Sequence, residues 1–161
     1  MSRAVTIRCD AEDATRALAH RLAACAVPGG VVVLTGPLGA GKTTFAKAYA
    51  VALGVTVPVT SPPYTLVHHY PCGPAAPVRT LLHADCWRLS DPDEVADLAL
   101  DEQLDEDAAA LVEWGERVDL GAGRDTVVVT FEVTGDRSRT LTVDGSRSSV
   151  PDTALGALAA P

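Results

Sequence analysis

Short apolar runs alternate along the chain with longer stretches in which apolar residues recur every three or four positions. The runs have the length and the β-branched content of strands, whereas the periodic stretches are typical of amphipathic helices. Strands are predicted over residues 5–7, 31–35, 64–70, 78–84 and 108–112, and a hairpin over residues 126–133 and 139–143. This alternation predicts an α/β fold with a mostly parallel central sheet and a C-terminal antiparallel hairpin.

Helices are predicted over residues 10–26 and 44–53 and from about residue 92. Asp10 is placed to cap the first of them, and Asp91 is placed to cap the third, whose first residue is Pro92. Gly54 has the position of a left-handed terminator for the second. These signals predict a helix after the strands at residues 5–7, 31–35 and 78–84, whereas the proline- and glycine-rich residues 71–77 are expected to be a loop.

The length of 161 residues suits a single domain with a buried core. We expect residues 1–145 to form that domain. Residues 146–161 show weak periodicity and are expected to be a mobile C-terminal tail.

The octapeptide after the second apolar run carries the clearest chemical signal. Residues 36–43 read Gly-Pro-Leu-Gly-Ala-Gly-Lys-Thr, which is the phosphate-binding pattern G-x-x-x-x-G-K-[ST] between a predicted strand and a predicted helix. Glycines let backbone N–H groups approach a triphosphate, Lys42 can reach the outer phosphates, and Thr43 can offer its hydroxyl to Mg²⁺. The residues expected around the nucleotide phosphates are Pro37, Leu38, Gly39, Ala40, Gly41, Lys42, Thr43 and Thr44. A glycine turn with an exposed lysine is the alternative.

Two acids stand at the ends of later strands. Asp85 closes the run at residues 80–84, and Glu113 closes the run at residues 109–112. Because the carboxyl ends of parallel strands share one edge of a sheet, both acids can converge on the metal and the γ-phosphate. The pattern leaves open which of them binds the metal directly, and either one can be a solvated acid at a strand end.

Composition limits the class of protein. The net charge is −8 and the pI is near 4.8, which opposes a large basic surface for nucleic acid, so any RNA connection is expected to run through a protein partner. The four cysteines lack C-x-x-C spacing and are expected to be reduced thiols. No apolar run approaches the roughly 18 residues that a membrane span needs. We therefore expect a cytoplasmic protein with no membrane contact.

Four blocks of sequence occur together in this chain. They are Leu38-Gly39-Ala40-Gly41-Lys42-Thr43-Thr44-Phe45, Ser61-Pro62-Pro63-Tyr64-Thr65-Leu66-Val67, His83-Ala84-Asp85-Cys86-Trp87-Arg88-Leu89 and Leu111-Val112-Glu113-Trp114. In this combination and order the chain resembles the TsaE family, the bacterial ATPases of tRNA threonylcarbamoyladenosine biosynthesis. The resemblance spans roughly residues 10 to 145.

The resemblance implies a three-layer P-loop NTPase fold and an accessory ATPase that uses ATP and Mg²⁺. Such a protein works with a threonylcarbamoyl transferase and the paralogous companion of that transferase to modify the adenosine beside the anticodon. Contact with tRNA is then only indirect, through that complex, because the transfer chemistry belongs to the partner.

The resemblance also implies roles for particular residues. Lys42 would hold the β- and γ-phosphates, Thr43 and Glu113 would be ligands of Mg²⁺, and Asp85 would be a second acid near the metal or the attacking water. The block at residues 61–67 resembles a switch that senses the γ-phosphate. The base would lie between the segment around Glu12 and the final hairpin around Arg137.

The chain departs from the family pattern at several positions. Pro63 stands where a threonine is usual, so Ser61 or Thr65 would have to supply the hydroxyl in the switch. Trp87 replaces the usual tyrosine, and Gly115 replaces a proline, which loosens the turn after Glu113. A further departure is Ala99 in place of glycine. Trp87 and Trp114 can shield the site, face a partner or simply pack together.

Two other classes of nucleotide-binding protein share the phosphate loop. A GTPase switch needs a guanine-reading Asn-Lys-x-Asp segment, and this chain contains no asparagine. A small-molecule or nucleotide kinase normally has a lid with several arginines, whereas the arginines here are scattered. The kinase is the alternative that stays open.

Overall fold

A computed structural model describes residues 3–60, 67–89, 91, 93–94, 98–104, 106–115 and 123–160. The strands are β1 (Ala4–Cys9), β2 (Val31–Thr35), β3 (Val67–Pro71), β4 (Thr80–Asp85), β5 (Ala108–Glu113), β6 (Thr126–Val133) and β7 (Arg139–Arg147). The helices within those ranges are α1 (Glu12–Ala23), α2 (Lys42–Ala52), α3 (Leu100–Gln103) and α4 (Asp152–Ala157). None of the helices in these ranges is long and apolar enough to cross a membrane.

The strands of the described ranges form one sheet in the order β1-β7-β6-β2-β5-β4-β3. Its centre is parallel, because β2 runs parallel to both β5 and β6, and β4 runs parallel to β5. β7 is antiparallel to β6 and β1, and β3 is antiparallel to β4. The predicted α/β fold with a parallel centre and a C-terminal antiparallel hairpin is therefore confirmed.

The central strand β2 is packed on both faces of the sheet. Val32 and Leu34 belong to an apolar cluster that includes the inner sides of α1 and α2, whereas Val31 and Val33 belong to a cluster on the opposite face. This division follows from the strand itself, since successive side chains point to opposite faces. The second cluster also contains Leu89, Leu98 and Leu100, which follow β4. Apolar layers on both faces give the three-layer arrangement.

Helix α2 is anchored by two aromatic rings. Phe45 and Tyr49 are fully buried, and the Phe45 ring meets Phe131 of β6 edge-on with 5.7 Å between ring centroids. Removing a buried ring of this kind costs about 3–5 kcal/mol of stability. The helix that begins at Lys42 is thus held firmly against the sheet.

The start and end of α1 differ from the prediction. The residue before α1 is Ala11, and no side chain caps the helix. Asp10 instead accepts a hydrogen bond of 2.6 Å from Arg8 Nε at the end of β1, so the predicted cap is wrong. The helix ends at Ala23, three residues before Ala26, because the chain turns before Pro28.

Two further predicted elements are only partly described. The predicted strand at residues 64–70 is observed as β3 over Val67–Pro71, and residues 64–66 lie outside the described ranges. Asp91 accepts a hydrogen bond from the Asp93 N–H, and the Glu94 carboxylate accepts one from the Asp91 N–H. These are the contacts of a helix cap. Pro92 itself lies outside the described residues.

The C-terminal segment packs on the core, although we expected it to be mobile. β7 extends to Arg147, and the segment then buries Val150, Leu155 and Leu158 among the core side chains. Arg3 also donates a hydrogen bond of 2.7 Å to Ser148 O. A helix of one and a half turns is too short to show clear periodicity in the sequence. The division of the chain at residue 145 stays a prediction.

Candidate active site

The loop between β2 and α2 depends on glycine at three positions. Gly36, Gly39 and Gly41 have φ angles of 142°, 76° and 102°, which other residues rarely adopt. A Cβ atom on Gly36 would also lie 2.7 Å from the carbonyl oxygen of Phe131. At Gly39 and Gly41 a Cβ would meet nothing within 4 Å, so backbone conformation alone selects glycine there. The loop therefore leaves its backbone open to an approaching ligand.

Lys42 lies at the first position of α2 and is almost completely buried, with 4% of its surface exposed. Its Nζ donates hydrogen bonds of 2.6 Å to Gly36 O and 2.8 Å to Pro37 O. The ammonium also lies 3.7 Å from the centre of the Trp114 ring, and Trp114 has a left-handed φ of 59°. The alternative of an exposed lysine on a glycine turn is therefore wrong.

Glu113 ends β5 with a carboxylate that is 2% exposed. Its Oε2 accepts a hydrogen bond of 3.0 Å from Thr43 Oγ1, and its Oε1 is 2.9 Å from His83 Nε2. Each oxygen of this buried carboxylate therefore has a partner, as a buried acid requires. The Thr43 contact joins the start of α2 to the end of β5.

Asp85 lies beside Glu113, because the register of β4 and β5 pairs these two residues. Desolvation by burial raises the pKa of Asp85, the negative charge of Glu113 adds to the increase, and the hydrogen bond from the Trp87 N–H opposes it. That bond measures 3.0 Å to Asp85 Oδ1. The predicted convergence of the two acids at one edge of the sheet is thus observed.

A cleft of about 330 Å³ is lined by the loop between β2 and α2 and by the two acids at the ends of β4 and β5. It is lined by Leu38, Gly39, Ala40, Gly41, Lys42, Thr43, Thr44, Asp85, Trp87, Glu113 and Trp114. The indole rings of Trp87 and Trp114 contact each other with 4.4 Å between centroids, so packing accounts for at least part of their role. Lys42, Thr43, Asp85 and Glu113 therefore face one space.

A second cavity of about 230 Å³ lies on the other side of the same loop. It is lined by Glu12, Thr15, Gly39, Ala40, Gly41, Thr44, Asp136, Arg137 and Arg139. Glu12 and Arg137, which are far apart in sequence, thus border the same cavity. The Glu12 carboxylate is also paired with Arg16 one helical turn later.

Some predicted residues cannot be placed in this way. The block at residues 61–66, including Pro63, lies outside the described residues, and only Val67 of the block is seen, at the start of β3. Within the described ranges, no group of three or more His, Cys, Asp or Glu side chains forms a ready metal site.

Two residues with contacts at the site were not predicted. His83 holds Oε1 of Glu113, and its own Nδ1 is buried with no hydrogen-bond partner among the residues that the structure describes. Arg139 of β7 donates to the carbonyl oxygens of Ala40 and Gly39, at 3.0 and 3.2 Å. His83 stands in one of the blocks that carry the family resemblance, but nothing near Arg139 in the sequence indicates its contact with a loop about a hundred positions away.

The chain is similar to known proteins in both sequence and structure. The family model described as Threonylcarbamoyl adenosine biosynthesis protein TsaE matches residues 9–141. The tRNA threonylcarbamoyladenosine biosynthesis protein TsaE of Bacillus subtilis is 39% identical over 128 residues, which are 80% of this chain and 77% of that protein. The protein of the same name from Mycobacterium tuberculosis is 45% identical over 109 residues, or 63% of each chain. The crystal structure of Bacillus subtilis YdiB has a TM-score of 0.68 and 29% identity, covering 98% of this chain and 95% of that one.

Proposed function

Because the chain belongs to the TsaE family and so has a role in tRNA threonylcarbamoyladenosine biosynthesis, we propose that it acts there as an ATPase. It binds ATP with Mg²⁺ and hydrolyses the bond between the β- and γ-phosphates. The observation that carries this proposal is the hydrogen bond of 3.0 Å between Thr43 and Glu113, beside the buried ammonium of Lys42.

Lys42 is the residue that holds the outer phosphates. In the structure its ammonium donates to two neutral carbonyl oxygens, those of Gly36 and Pro37. Phosphate oxygens carry negative charge and form stronger hydrogen bonds with an ammonium than carbonyls do. Replacement of the two carbonyl partners of Lys42 by phosphate oxygens therefore favours the binding of ATP.

The donor atoms next to Lys42 fit Mg²⁺. They are the Thr43 hydroxyl and the carboxylates of Glu113 and Asp85, all oxygen ligands of the kind that Mg²⁺ prefers. When bound, Mg²⁺ supplies positive charge that neutralises the phosphate oxygens. Thr43 and Glu113 would hold it through their side-chain oxygens.

Asp85 takes part in the attack by water. A water oxygen bonds to the γ-phosphorus while the bridging bond to the β-phosphate breaks, which releases ADP and inorganic phosphate. One water proton stays on the phosphate, and the other is released to solvent. Asp85 accepts a hydrogen bond from this water and orients it.

The base and ribose occupy the second cavity. Glu12 and Arg137 both border it, and Thr44 links it to the phosphate loop. These polar groups surround a space that opens directly from the loop, as a nucleotide that spans both cavities requires.

The partners are a threonylcarbamoyl transferase and its paralogous companion, which carry out the transfer to tRNA in the cytoplasm. Among the described residues no arginine lines the cleft that contains Asp85 and Glu113. Since an arginine at the γ-phosphate can raise the rate by several powers of ten, hydrolysis by the isolated protein is slow. The net charge of −8 keeps contact with tRNA indirect.

The test is phosphate release from ATP with and without Mg²⁺, and with and without the transferase pair. We expect slow release that requires Mg²⁺ and increases when both partners are added. Inclusion of γ-labelled ATP with candidate small acceptors separates the ATPase from the kinase alternative. Label that appears in an acceptor rather than in free phosphate would overturn the proposal.

A further inference from the structure

The Arg139 guanidinium lies between the phosphate loop and the turn of the β6–β7 hairpin. Its Nε donates 3.0 Å to Ala40 O, and its Nη2 donates 3.2 Å to Gly39 O. Its Nη1 donates to two carbonyls of the turn, Gly135 O at 2.9 Å and Ser138 O at 2.8 Å. One planar cation thus uses four N–H groups to bind the backbone of two loops. Its partners in the phosphate loop, Ala40 and Gly39, are 99 and 100 positions away from Arg139 in the sequence.

These contacts orient the peptide groups just before Lys42. The described chain contains no cis peptide bond, and in a trans peptide the C=O and the N–H point in opposite directions. Because Ala40 O faces Arg139, the N–H of Gly41 points away from the guanidinium. On the preceding peptide, Gly39 O faces Arg139 while the Ala40 N–H donates 3.2 Å to Pro37 O. Both peptide planes are therefore fixed.

Glycine makes such support necessary. Gly39 and Gly41 have left-handed φ angles, and no Cβ restricts either of them. A loop with this freedom loses much conformational entropy when it adopts one anion-binding shape. If a side chain already holds the loop in that shape before the ligand binds, less conformational entropy is lost on binding, and the affinity is higher.

We propose that Arg139 is a positioning residue that holds the phosphate loop in its anion-binding shape and ties it to the hairpin turn beside the second cavity. It acts through the carbonyls of Gly39 and Ala40, not by direct contact with phosphate. The effect on affinity rests on the proposed nucleotide binding, whereas the effect on the loop exists without any ligand.

The geometry requires arginine and not merely a positive charge. A guanidinium presents its donors in a rigid fork, so it can reach carbonyls on two sides at once, whereas the ammonium of lysine is a single point. Arg139→Lys keeps the positive charge but loses the simultaneous contacts with the phosphate loop and the hairpin turn. Arg139→Gln loses both the charge and those contacts. Arg8→Gln is the matched control, because Arg8 is an exposed arginine on the neighbouring strand and, within the described part of the chain, forms its ion pair with Asp10.

Hydrogen exchange of the ligand-free protein tests the loop itself. In Arg139→Lys and Arg139→Gln we expect amides of residues 36–44 to exchange about tenfold faster, the effect of losing one or two hydrogen bonds. In both Arg139 variants the amides of β2 should exchange at the wild-type rates. In the Arg8→Gln variant all amides, including those of residues 36–44, should do so. Wild-type exchange at residues 36–44 in Arg139→Lys would overturn the proposal, and uniformly faster exchange would show a general loss of stability instead.

Calorimetric titration with ADP and with inorganic tripolyphosphate tests the consequence for binding. Both Arg139 variants should lose about tenfold in affinity for each ligand. Wild-type affinity in Arg139→Lys would mean that charge alone matters, and a loss confined to ADP would mean direct contact with the base or ribose; either result contradicts the proposal. If the wild-type protein binds neither ligand, the proposed function fails, and hydrogen exchange still decides the role of Arg139.

Discussion

The Thr43 hydroxyl donates a hydrogen bond of 3.0 Å to Oε2 of Glu113 and so joins the first turn of α2 to the end of β5. The two residues are 70 positions apart in sequence. Each carries an oxygen atom of the kind that Mg²⁺ prefers, and their contact places the two atoms within reach of one small cation. The phosphate loop and the strand-end acid are therefore parts of one site.

Replacement of Thr43 tests this relationship. Thr43→Val keeps the shape of the side chain but removes its oxygen, so we expect the Mg²⁺ concentration for half-maximal hydrolysis to rise about tenfold or more. Thr43→Ser keeps the hydroxyl and should stay near wild type. Titration of the hydrolysis rate with Mg²⁺ measures both, and equal Mg²⁺ requirements in Thr43→Val and wild type would exclude Thr43 as a ligand.

Lys42→Ala removes the ammonium that we assign to the outer phosphates. We expect affinity for ATP to fall about 100-fold, the effect of losing charge-assisted hydrogen bonds. The chain has one other lysine, Lys47, which is exposed on the same helix. Lys47→Ala is the matched control and should bind ATP as the wild type does. Calorimetric titration gives both affinities, and similar losses in the two variants would point to disruption of α2.

The two acids are expected to differ in their roles. Glu113→Ala should lose Mg²⁺-dependent turnover about 100-fold or more while it keeps part of its affinity for nucleotide. Asp85→Ala should lower the turnover with a smaller change in the Mg²⁺ requirement. Steady-state hydrolysis in the presence of the partner proteins measures both. Normal turnover by Glu113→Ala together with inactive Asp85→Ala would reverse the assignment.

The elements that the sequence predicts well are those with a local cause. β2 and β5 are apolar up to their last residues, Thr35 and Glu113, because both of their faces are buried, and glycines bound β2 on each side. The cap at Asp10 fails because a competing partner, Arg8, lies two residues away. The burial of Val150, Leu155 and Leu158 in the C-terminal segment could not be predicted, because it depends on contacts with core side chains that are distant in sequence.

The same distinction holds for the site. Lys42 and Thr43 follow from a contiguous motif, and Asp85 and Glu113 follow from the rule that parallel strands end at one edge. The contact of Arg139 with the phosphate loop has no local pattern, because it joins residues about a hundred positions apart. A hydrogen bond to a backbone carbonyl does not depend on which amino acid carries that carbonyl. The residue types at positions 39 and 40 therefore do not indicate a contact with Arg139.

Alkaline pH should destabilise the fold through Tyr49. Burial is the main cause that raises the pKa of Tyr49 above its ordinary value of 10.0, and the thiolate charges of Cys25 and Cys72 add to it. Above pH 10 the unfolded chain loses the tyrosine proton while the folded protein keeps it, so the free energy of unfolding falls by up to about 1.4 kcal/mol per pH unit. Below pH 9 this contribution to stability is fully present.

Tyr49→Phe removes this titration and leaves the cysteines in place. We expect the free energy of unfolding of Tyr49→Phe to decline less steeply than that of the wild type between about pH 9.5 and 11. Urea denaturation at a series of pH values measures both curves, and the contributions of the thiols cancel in their difference. Parallel curves for the two proteins would mean that Tyr49 ionises as readily in the folded state as in the unfolded chain, which its burial at 1% exposure opposes.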